Sequence, residues 1–280
     1  MSLNVCIFGV SGYTGSKLLY YLCNHKKVKI VGVFGYKTAG IKLECLFPKI
    51  NNLPKISITN YEKFDFKNVD LIFSCLPHGE FQKKIFKNLD KKISIIDLSG
   101  DFRLESKNEY EKFYKIKHDS FNEKSKFVYG LSEINREKIS KTKFVCNPGC
   151  YPTSILIPII PLLKNNVLTE SILIDSKSGV SGAGKNLSEN YLFSELQNNF
   201  YSYGINSHKH FPEIKQEIKK LSKNVSVTFI PHLLPIFSGI QSNIYLDASK
   251  HSVEEIEEII EKYYCNYIFI KILKKRIPKI

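Results

Sequence analysis

The pattern of apolar and polar positions changes character part-way along the chain. In the first half, uninterrupted apolar runs at 5–10, 28–35, 69–75 and 93–98 alternate with segments of helical periodicity at 13–24 and 79–89. A strand that is apolar at nearly every position needs cover on both faces, so these runs predict a doubly wound parallel α/β sheet with helices on either side. Beyond about residue 147, strands are predicted at 171–178, 225–231, 239–247 and 267–273, with amphipathic helices at 211–221 and 253–264. The second of these helices opens on the capping-box spacing Ser252-Val253-Glu254-Glu255. The change predicts two domains, 1–147 holding the parallel sheet and 148–280 an α+β fold around a mixed or antiparallel sheet. No internal repeat, low-complexity tract or Gly/Pro/Ser-rich linker interrupts either half.

Composition narrows the picture. A chain of 280 residues with 43% hydrophobic and 24% charged side chains can bury one large or two modest cores, which excludes a disordered or collagen-like protein. The net charge of +14 would suit a nucleic-acid binder if it were clustered and rich in arginine. Arginine is confined to Arg103, Arg136 and Arg276, and the lysines are dispersed, so a lysine-coated surface is the better reading and nucleic acid is not an expected partner. The seven cysteines form no C-x-x-C pair and no His/Cys cluster at zinc spacing; neither a disulfide framework nor a metal site is expected. The chain starts without a signal-peptide pattern, and its longest apolar run, 155–163, contains Pro158 and Pro161. These features predict no membrane span and a cytoplasmic location.

Candidate chemistry begins at the first strand-to-helix junction, Gly9-Val10-Ser11-Gly12-Tyr13-Thr14-Gly15. This G-x-x-G-x-x-G spacing is a variant of the dinucleotide fingerprint, in which glycines bring backbone close to a pyrophosphate at a helix N-terminus. The second strand ends in Gly35-Tyr36-Lys37-Thr38, a cation and a hydroxyl where an NAD-binding chain would carry a carboxylate. NADP is therefore favoured, the alternative being that Lys37 is one more solvated lysine.

Cys150, in Asn147-Pro148-Gly149-Cys150-Tyr151-Pro152, precedes an apolar helical run, where the helix dipole and free N–H groups would stabilise a thiolate nucleophile. A structural cysteine at a helix start is the alternative. His208-Lys209-His210-Phe211-Pro212-Glu213 offers an acid/base, with His210 at the edge of a helix and Glu213 placed to hold its ring. A surface His-Lys-His cap is the competing reading. Gly179-Val180-Ser181-Gly182-Ala183-Gly184-Lys185 nearly spells a Walker A loop, but Asn186 stands where a magnesium-binding hydroxyl belongs; an anion held on backbone N–H groups is the remaining expectation. Asp97-Leu98-Ser99-Gly100-Asp101-Phe102-Arg103 puts Arg103 just past a strand's carboxyl end, either as an anion clamp or as half of a surface pair with Asp101.

Taken together, GVSGYTG (9–15), SCLPHG (74–79), DLSGDFR (97–103), YGLSEINR (129–136), NPGCYPT (147–153), SKSGVSGAGKNLSE (176–189) and HKHFPEI (208–214) closely resemble the N-acetyl-gamma-glutamyl-phosphate reductase family of arginine biosynthesis. The resemblance implies a Rossmann-type domain followed by an α+β substrate and dimerisation domain of the semialdehyde dehydrogenase type. It implies NADPH as cofactor, an acyl phosphate substrate, inorganic phosphate as product, and a homodimer or homotetramer. By it, Cys150 is the nucleophile and His210 the acid/base, with His208 and Glu213 in the same site. The cofactor would lie against Gly9, Ser11, Gly12, Tyr13, Thr14, Gly15, Lys37, Pro77, His78, Gly79, Ser181 and Gly182. Arg103, Ser178, Gly179 and Lys185 would face the substrate. The chain departs from the family at Ser238, where an arginine is usual, and family members continue for some tens of residues past Ile280, so a truncated or shortened chain is expected. An aspartate-semialdehyde type of enzyme and an inactive NADP-binding protein are the competing readings.

Overall fold

The computed structural model describes residues 2–278, with 168, 169, 186, 187, 206 and 275–277 excepted. Asn186 and Arg276 thus lie outside the described residues. Two compact units divide the chain: 1–130 with 137–148, and 131–136 with 149–280.

The first unit carries strands β1 (Leu3–Phe8), β2 (Val28–Phe34), β3 (Leu71–Ser74), β4 (Ser94–Asp97), β5 (Val128–Tyr129) and β6 (Phe144–Cys146). Its helices are α1 (Tyr13–Cys23), α2 (Leu43–Leu46) and α3 (Lys107–Tyr114). The strands form one sheet in the order β2-β1-β3-β4-β6-β5, parallel at every pairing. The order reverses between β1 and β3, the point at which open parallel sheets bind ligands beyond their carboxyl ends. Side chains alternate across the sheet: Val5 and Ile7 join Leu19, Leu22, Ile30 and Val33 in one core, while Phe8 on the opposite face lies 4.6 Å from Phe34.

The helix predicted at 79–89 is instead a π-helical turn, Phe81–Ile85, followed by a 3₁₀ turn, Phe86–Asn88. Tertiary partners explain the change. The Asp101 carboxylate accepts the N–H groups of Gly79 (2.7 Å) and Gln82 (3.3 Å), and the Gln82 side chain is taken by the Lys117 carbonyl and the Asp119 N–H. These bonds hold the segment in wider turns than an α-helix allows.

The helix α4 (Ser132–Ser140) is broken at Asn135 (φ −117°, ψ 23°), close to where the chain passes from one unit back to the other. The second unit begins with α5 (Cys150–Lys164) and adds β7 (Ser171–Gly179), α6 (Phe193–Leu196), β8 (Tyr201–Ser202), α7 (Phe211–Lys219), β9 (Ser226–Leu234), β10 (Ile240–Leu246) and α8 (Val253–Tyr264). Its sheet runs β10-β7-β9-β8 and is mixed, with a parallel β7/β9 pair between antiparallel edges. Along β7, Ile172, Ile174, Ser176 and Ser178 are buried while Leu173 is exposed, the alternation expected of a sheet covered on one face. The capping box forms as its spacing predicts: Ser252 Oγ accepts the Glu255 N–H at 3.1 Å and Glu255 Oε2 accepts the Ser252 N–H at 3.0 Å.

The strand predicted at 267–273 is absent. Tyr267 N–H bonds Tyr264 and Ile270 N–H bonds Tyr267, so the chain turns, and Ile268 and Phe269 stay exposed. Its β-branched and aromatic residues favour a strand, but none of the described strands pairs with it, and such propensity needs a neighbour to act through. No helix among the described residues is long and apolar enough to cross a membrane.

Candidate active site

In the first unit, the turn after β1 depends on its glycines. Gly9 takes φ +75°, and a Cβ there would stand 2.5 Å from the Cys75 carbonyl oxygen. A Cβ on Gly15 would collide with the Gly9 carbonyl. Gly12 caps α1 without a side-chain hydrogen bond, and the first turn carries no acidic residue, which leaves the positive end of the helix to an anion. A pyrophosphate suits this turn by charge, meeting the uncapped positive end of α1, while Gly9 and Gly15 answer the close approach of the Cys75 and Gly9 carbonyls.

At the end of β2, Lys37 is exposed and no carboxylate occurs between Gly35 and Gly40. Thr38 Oγ1 is buried without a hydrogen-bond partner and lies 2.7 Å from the position of a Cβ on Gly35. A ribose 2′-phosphate would meet a hydroxyl and a cation here, with no repelling charge.

Past β3, Pro77 is exposed, Gly79 takes φ +86°, and His78 Nδ1 accepts the Gly100 N–H at 2.8 Å. That bond assigns the ring proton of neutral His78 to Nε2. The loop beyond β4 is a buried polar knot. Ser99 Oγ donates to Asp97 at 2.7 Å, Tyr110 donates its phenol to Asp101 at 2.7 Å, and burial beside Asp101 raises the Asp97 carboxyl to about 7.

Arg103, expected as an anion clamp or as half of a surface pair, is held from below by backbone. It is 4% exposed, with Nε donating to the Asn147 carbonyl at 2.7 Å and an Nη to the Leu98 carbonyl at 2.9 Å. Nor does it form a surface pair with Asp101, which is itself buried and serves Gly79, Gln82 and Tyr110. An arginine next to two carboxylates reads the same in sequence whether its fork faces solvent or backbone, so only packing separates the two.

In the second unit, Cys150 is the first residue of α5 and is exposed. Gly149 caps the helix with no side-chain bond of its own, and no acidic residue follows in the first turn, so a Cys150 thiolate would meet the positive end of the helix dipole. The Gly149 N–H is given to Glu213 Oε1 at 2.9 Å. The ring of His210 lies against Gly149: a Cβ there would fall 2.6 Å from His210 Nε2. One glycine therefore brings the nucleophile's helix and the imidazole together.

His210 caps α7, with Pro212 in its first turn and Glu213 fully buried. Glu213, expected to hold the His210 ring, gives one carboxylate oxygen to the backbone before Cys150. His208 Nδ1 accepts the His210 N–H at 3.0 Å. Burial, and to a lesser degree the Lys209 charge, push the His208 imidazole down to about 4, so it is neutral with its proton on Nε2. His208, half-buried, supports His210 from among the rings of Tyr151 (5.3 Å), Tyr203 (5.5 Å) and Phe229 (5.5 Å).

The loop after β7, expected to cradle an anion, has part of its backbone engaged within the second unit. The N–H groups of Gly179, Val180 and Ser181 bond the carbonyls of Gly239, Ile236 and Phe237 at 2.9, 3.0 and 2.8 Å, so they are spent on the β9–β10 connection. Gly179 meets the backbone of Ser238, the departure from the family pattern, at 2.8 Å from its would-be Cβ. Ser178 is buried and donates to the Gly179 carbonyl at 3.0 Å, while Gly182 and Lys185 are exposed. Sequence reasoning missed Tyr151 and Tyr203, whose hydroxyls meet at 3.1 Å beside the histidines; adjacency to Cys150 was the one available signal. No cluster of His, Cys, Asp and Glu among the described residues could hold a metal ion.

Residues 4–142 match the family model of the semialdehyde dehydrogenase NAD binding domain, and 150–280 that of the semialdehyde dehydrogenase dimerisation domain. The probable chloroplastic N-acetyl-gamma-glutamyl-phosphate reductase of Arabidopsis thaliana is 40% identical over 97% of this chain and 68% of its own length. The N-acetyl-gamma-glutamyl-phosphate reductases of Alkaliphilus metalliredigens and Methanocaldococcus jannaschii are 41% and 39% identical over 96% and 99% of this chain, which spans 79% and 81% of theirs. Among solved structures, aspartate semialdehyde dehydrogenase II of Vibrio cholerae superposes with a TM-score of 0.72 at 18% identity, covering 94% of this chain and 79% of that one. The Candida albicans aspartate semialdehyde dehydrogenase with NADP gives 0.62 at 14%, covering 95% and 77%. At such identities these two structures bear on the fold alone. Fold, glycine cradle, cysteine helix and near-complete match to curated relatives converge, and the chain belongs to the N-acetyl-gamma-glutamyl-phosphate reductase family of semialdehyde dehydrogenase-type oxidoreductases.

Proposed function

We propose that the chain reductively dephosphorylates N-acetyl-gamma-glutamyl phosphate to N-acetyl-glutamate 5-semialdehyde, with NADPH, through a thioester on Cys150. The observation that carries this reading is the arrangement at Gly149, with an exposed thiol on one side, the His210 ring against its Cα and Glu213 on its N–H. The Cys150 thiolate attacks the acyl carbon, the C–O bond to phosphate breaks, and inorganic phosphate leaves with the bonding pair. The Gly9–Gly15 turn would hold NADPH, with Lys37 and Thr38 toward its 2′-phosphate, and the cofactor would supply the hydride that reduces the thioester. His210 donates a proton to the resulting oxyanion, then takes it back as the C–S bond breaks and the aldehyde departs, leaving the thiolate on Cys150. Gly149 keeps the imidazole close enough for both transfers, and the α5 N-terminus favours the thiolate between turnovers.

The quickest assay runs in reverse, following phosphate-dependent reduction of NADP by N-acetyl-glutamate 5-semialdehyde. Cys150→Ala should abolish turnover and His210→Ala should reduce it at least a hundredfold. Full activity in Cys150→Ala would overturn the thioester mechanism, and preference for aspartate semialdehyde would overturn the substrate.

As to assembly, Leu173 on β7 and Tyr245 on β10 face each other in register and are 42% and 57% exposed. We read this open face as the contact of a homodimer, in keeping with the description of the matched domain as a dimerisation domain; a monomer by light scattering at micromolar concentration would reject it. The thiol chemistry needs a reducing compartment, and we assign the cytoplasm, which fractionation of the source cells would check.

A further inference from the structure

We infer that Tyr151 is a positioning residue for this reaction, a phenol that locks the first turn of α5, and with it the Cys150 thiol, onto β9 and sets its ring edge against both imidazoles. The inference rests on the proposed role of Cys150 and His210. Tyr151 follows the nucleophile directly and is 2% exposed. Its ring meets His208 edge-on at 5.3 Å and His210 at 6.1 Å, and Phe229 closes the pocket at 5.2 Å. The phenol donates its proton to the His232 carbonyl on β9 at 3.2 Å, so the 3.1 Å contact with the Tyr203 hydroxyl has Tyr203 as donor.

Tyr203 is in turn held to β9, its N–H bonding the Pro231 carbonyl at 3.0 Å, and its ring edge touches His208 at 5.5 Å. The two tyrosines therefore enclose His208, whose Nδ1 holds the backbone of His210. One connected set of contacts runs from the helix turn that carries the thiol to the residue that carries the imidazole. Burial raises the Tyr151 phenol above its usual range, outweighing the hydrogen bonds of Tyr203 and Ser178 that lower it, so the group remains a neutral donor through the working pH range.

Tyr151→Phe separates this role from plain core packing, because the ring and its volume stay while the phenolic hydrogen bonds go. The expected result is a kcat reduced about five- to tenfold with KM values for both substrates unchanged, and a raised pH midpoint for alkylation of Cys150 by iodoacetamide. Tyr203→Phe, which removes one bond of the chain, should shift both readouts the same way by a smaller factor. A Tyr151→Phe enzyme with wild-type kcat and an unmoved alkylation profile would overturn the inference, whatever the change in melting temperature. Alkylation needs no acyl phosphate. A wild-type chain that fails to turn over would count against the proposed function, while the alkylation profiles of the folded variants would still decide the role of Tyr151.

Discussion

Glu213 Oε1 accepts the amide hydrogen of Gly149 across 2.9 Å, so a fully buried carboxylate on the first turn of α7 grips the residue that precedes the nucleophile. A buried charge is tolerated only where donors satisfy it, and the backbone N–H at a helix N-terminus is a strong donor to a carboxylate. The bond ties the starts of α5 and α7 together and with them Cys150 and His210.

Glu213→Gln keeps an acceptor oxygen for Gly149 and removes the charge; Glu213→Ala leaves the N–H unanswered. The alanine variant should lose about 1–3 kcal/mol of stability and the glutamine variant less. Chemical denaturation followed by CD measures this, and equal stabilities would show that the bond contributes nothing.

Gly149→Ala tests the contact with His210 more directly. Gly149 has φ −65° and ψ 159°, which alanine adopts freely, so the backbone itself raises no objection. The added methyl would fall 2.6 Å from His210 Nε2, and the ring must move. A displacement on the order of an ångström in an acid/base costs about a hundredfold in kcat. Retained activity would mean that His210 is not the proton-transfer group.

His208 makes stability depend on pH. Its folded-state value, pushed down to about 4 chiefly by burial, lies below the roughly 6.5 of a free imidazole, so between these limits the unfolded chain binds a proton that the native state refuses. Stability is therefore lost as pH falls from about 6.5 to about 4. Asp97, raised to about 7 by burial, acts in the opposite sense, favouring the native state as pH falls through that value. His208→Asn keeps an acceptor for the His210 N–H and removes the imidazole; its urea midpoint should rise relative to that of the wild type as pH falls below about 6.5. A constant difference from pH 7 to 4.5 would contradict the neutral, buried assignment.

Lys37→Glu should reverse cofactor preference. A carboxylate at the end of β2 repels a 2′-phosphate and accepts from a ribose hydroxyl, so kcat/KM for NADPH should fall at least about tenfold with that for NADH held or raised. Thr38→Val, which leaves the cation and removes the buried hydroxyl, should weaken NADPH by a smaller factor. Unchanged ratios in both variants would place the 2′-phosphate elsewhere.

Much of this was legible before any coordinates. The apolar runs of the first half become β1 to β4, because a strand covered on both faces announces itself in every residue, and the glycines after β1 stand where backbone approaches backbone. Ser252 and Glu255 form their capping box because both partners lie within one turn. Arg103 was not legible. Its position beyond β4 suits an anion clamp, yet two of its donors go to the carbonyls of Leu98 and Asn147, the second 44 residues away, which no local pattern announces. The segment at 79–89 has helical periodicity, and its turns open because Asp101 and the 117–120 loop claim its polar groups.

Periodicity, caps and glycine turns are short-range properties, and for these the sequence by itself determined the outcome: a parallel doubly wound sheet, a mixed second sheet, a cysteine at a helix start and a histidine before the next helix. What only the tertiary structure decided are the partners across long separations. Glu213 answers Gly149 from 64 residues away and Tyr151 reaches the His232 carbonyl across 81, because the order of strands in the sheet brings these points together. Residue type sets which groups can bond; the topology of the sheet selects which of them meet.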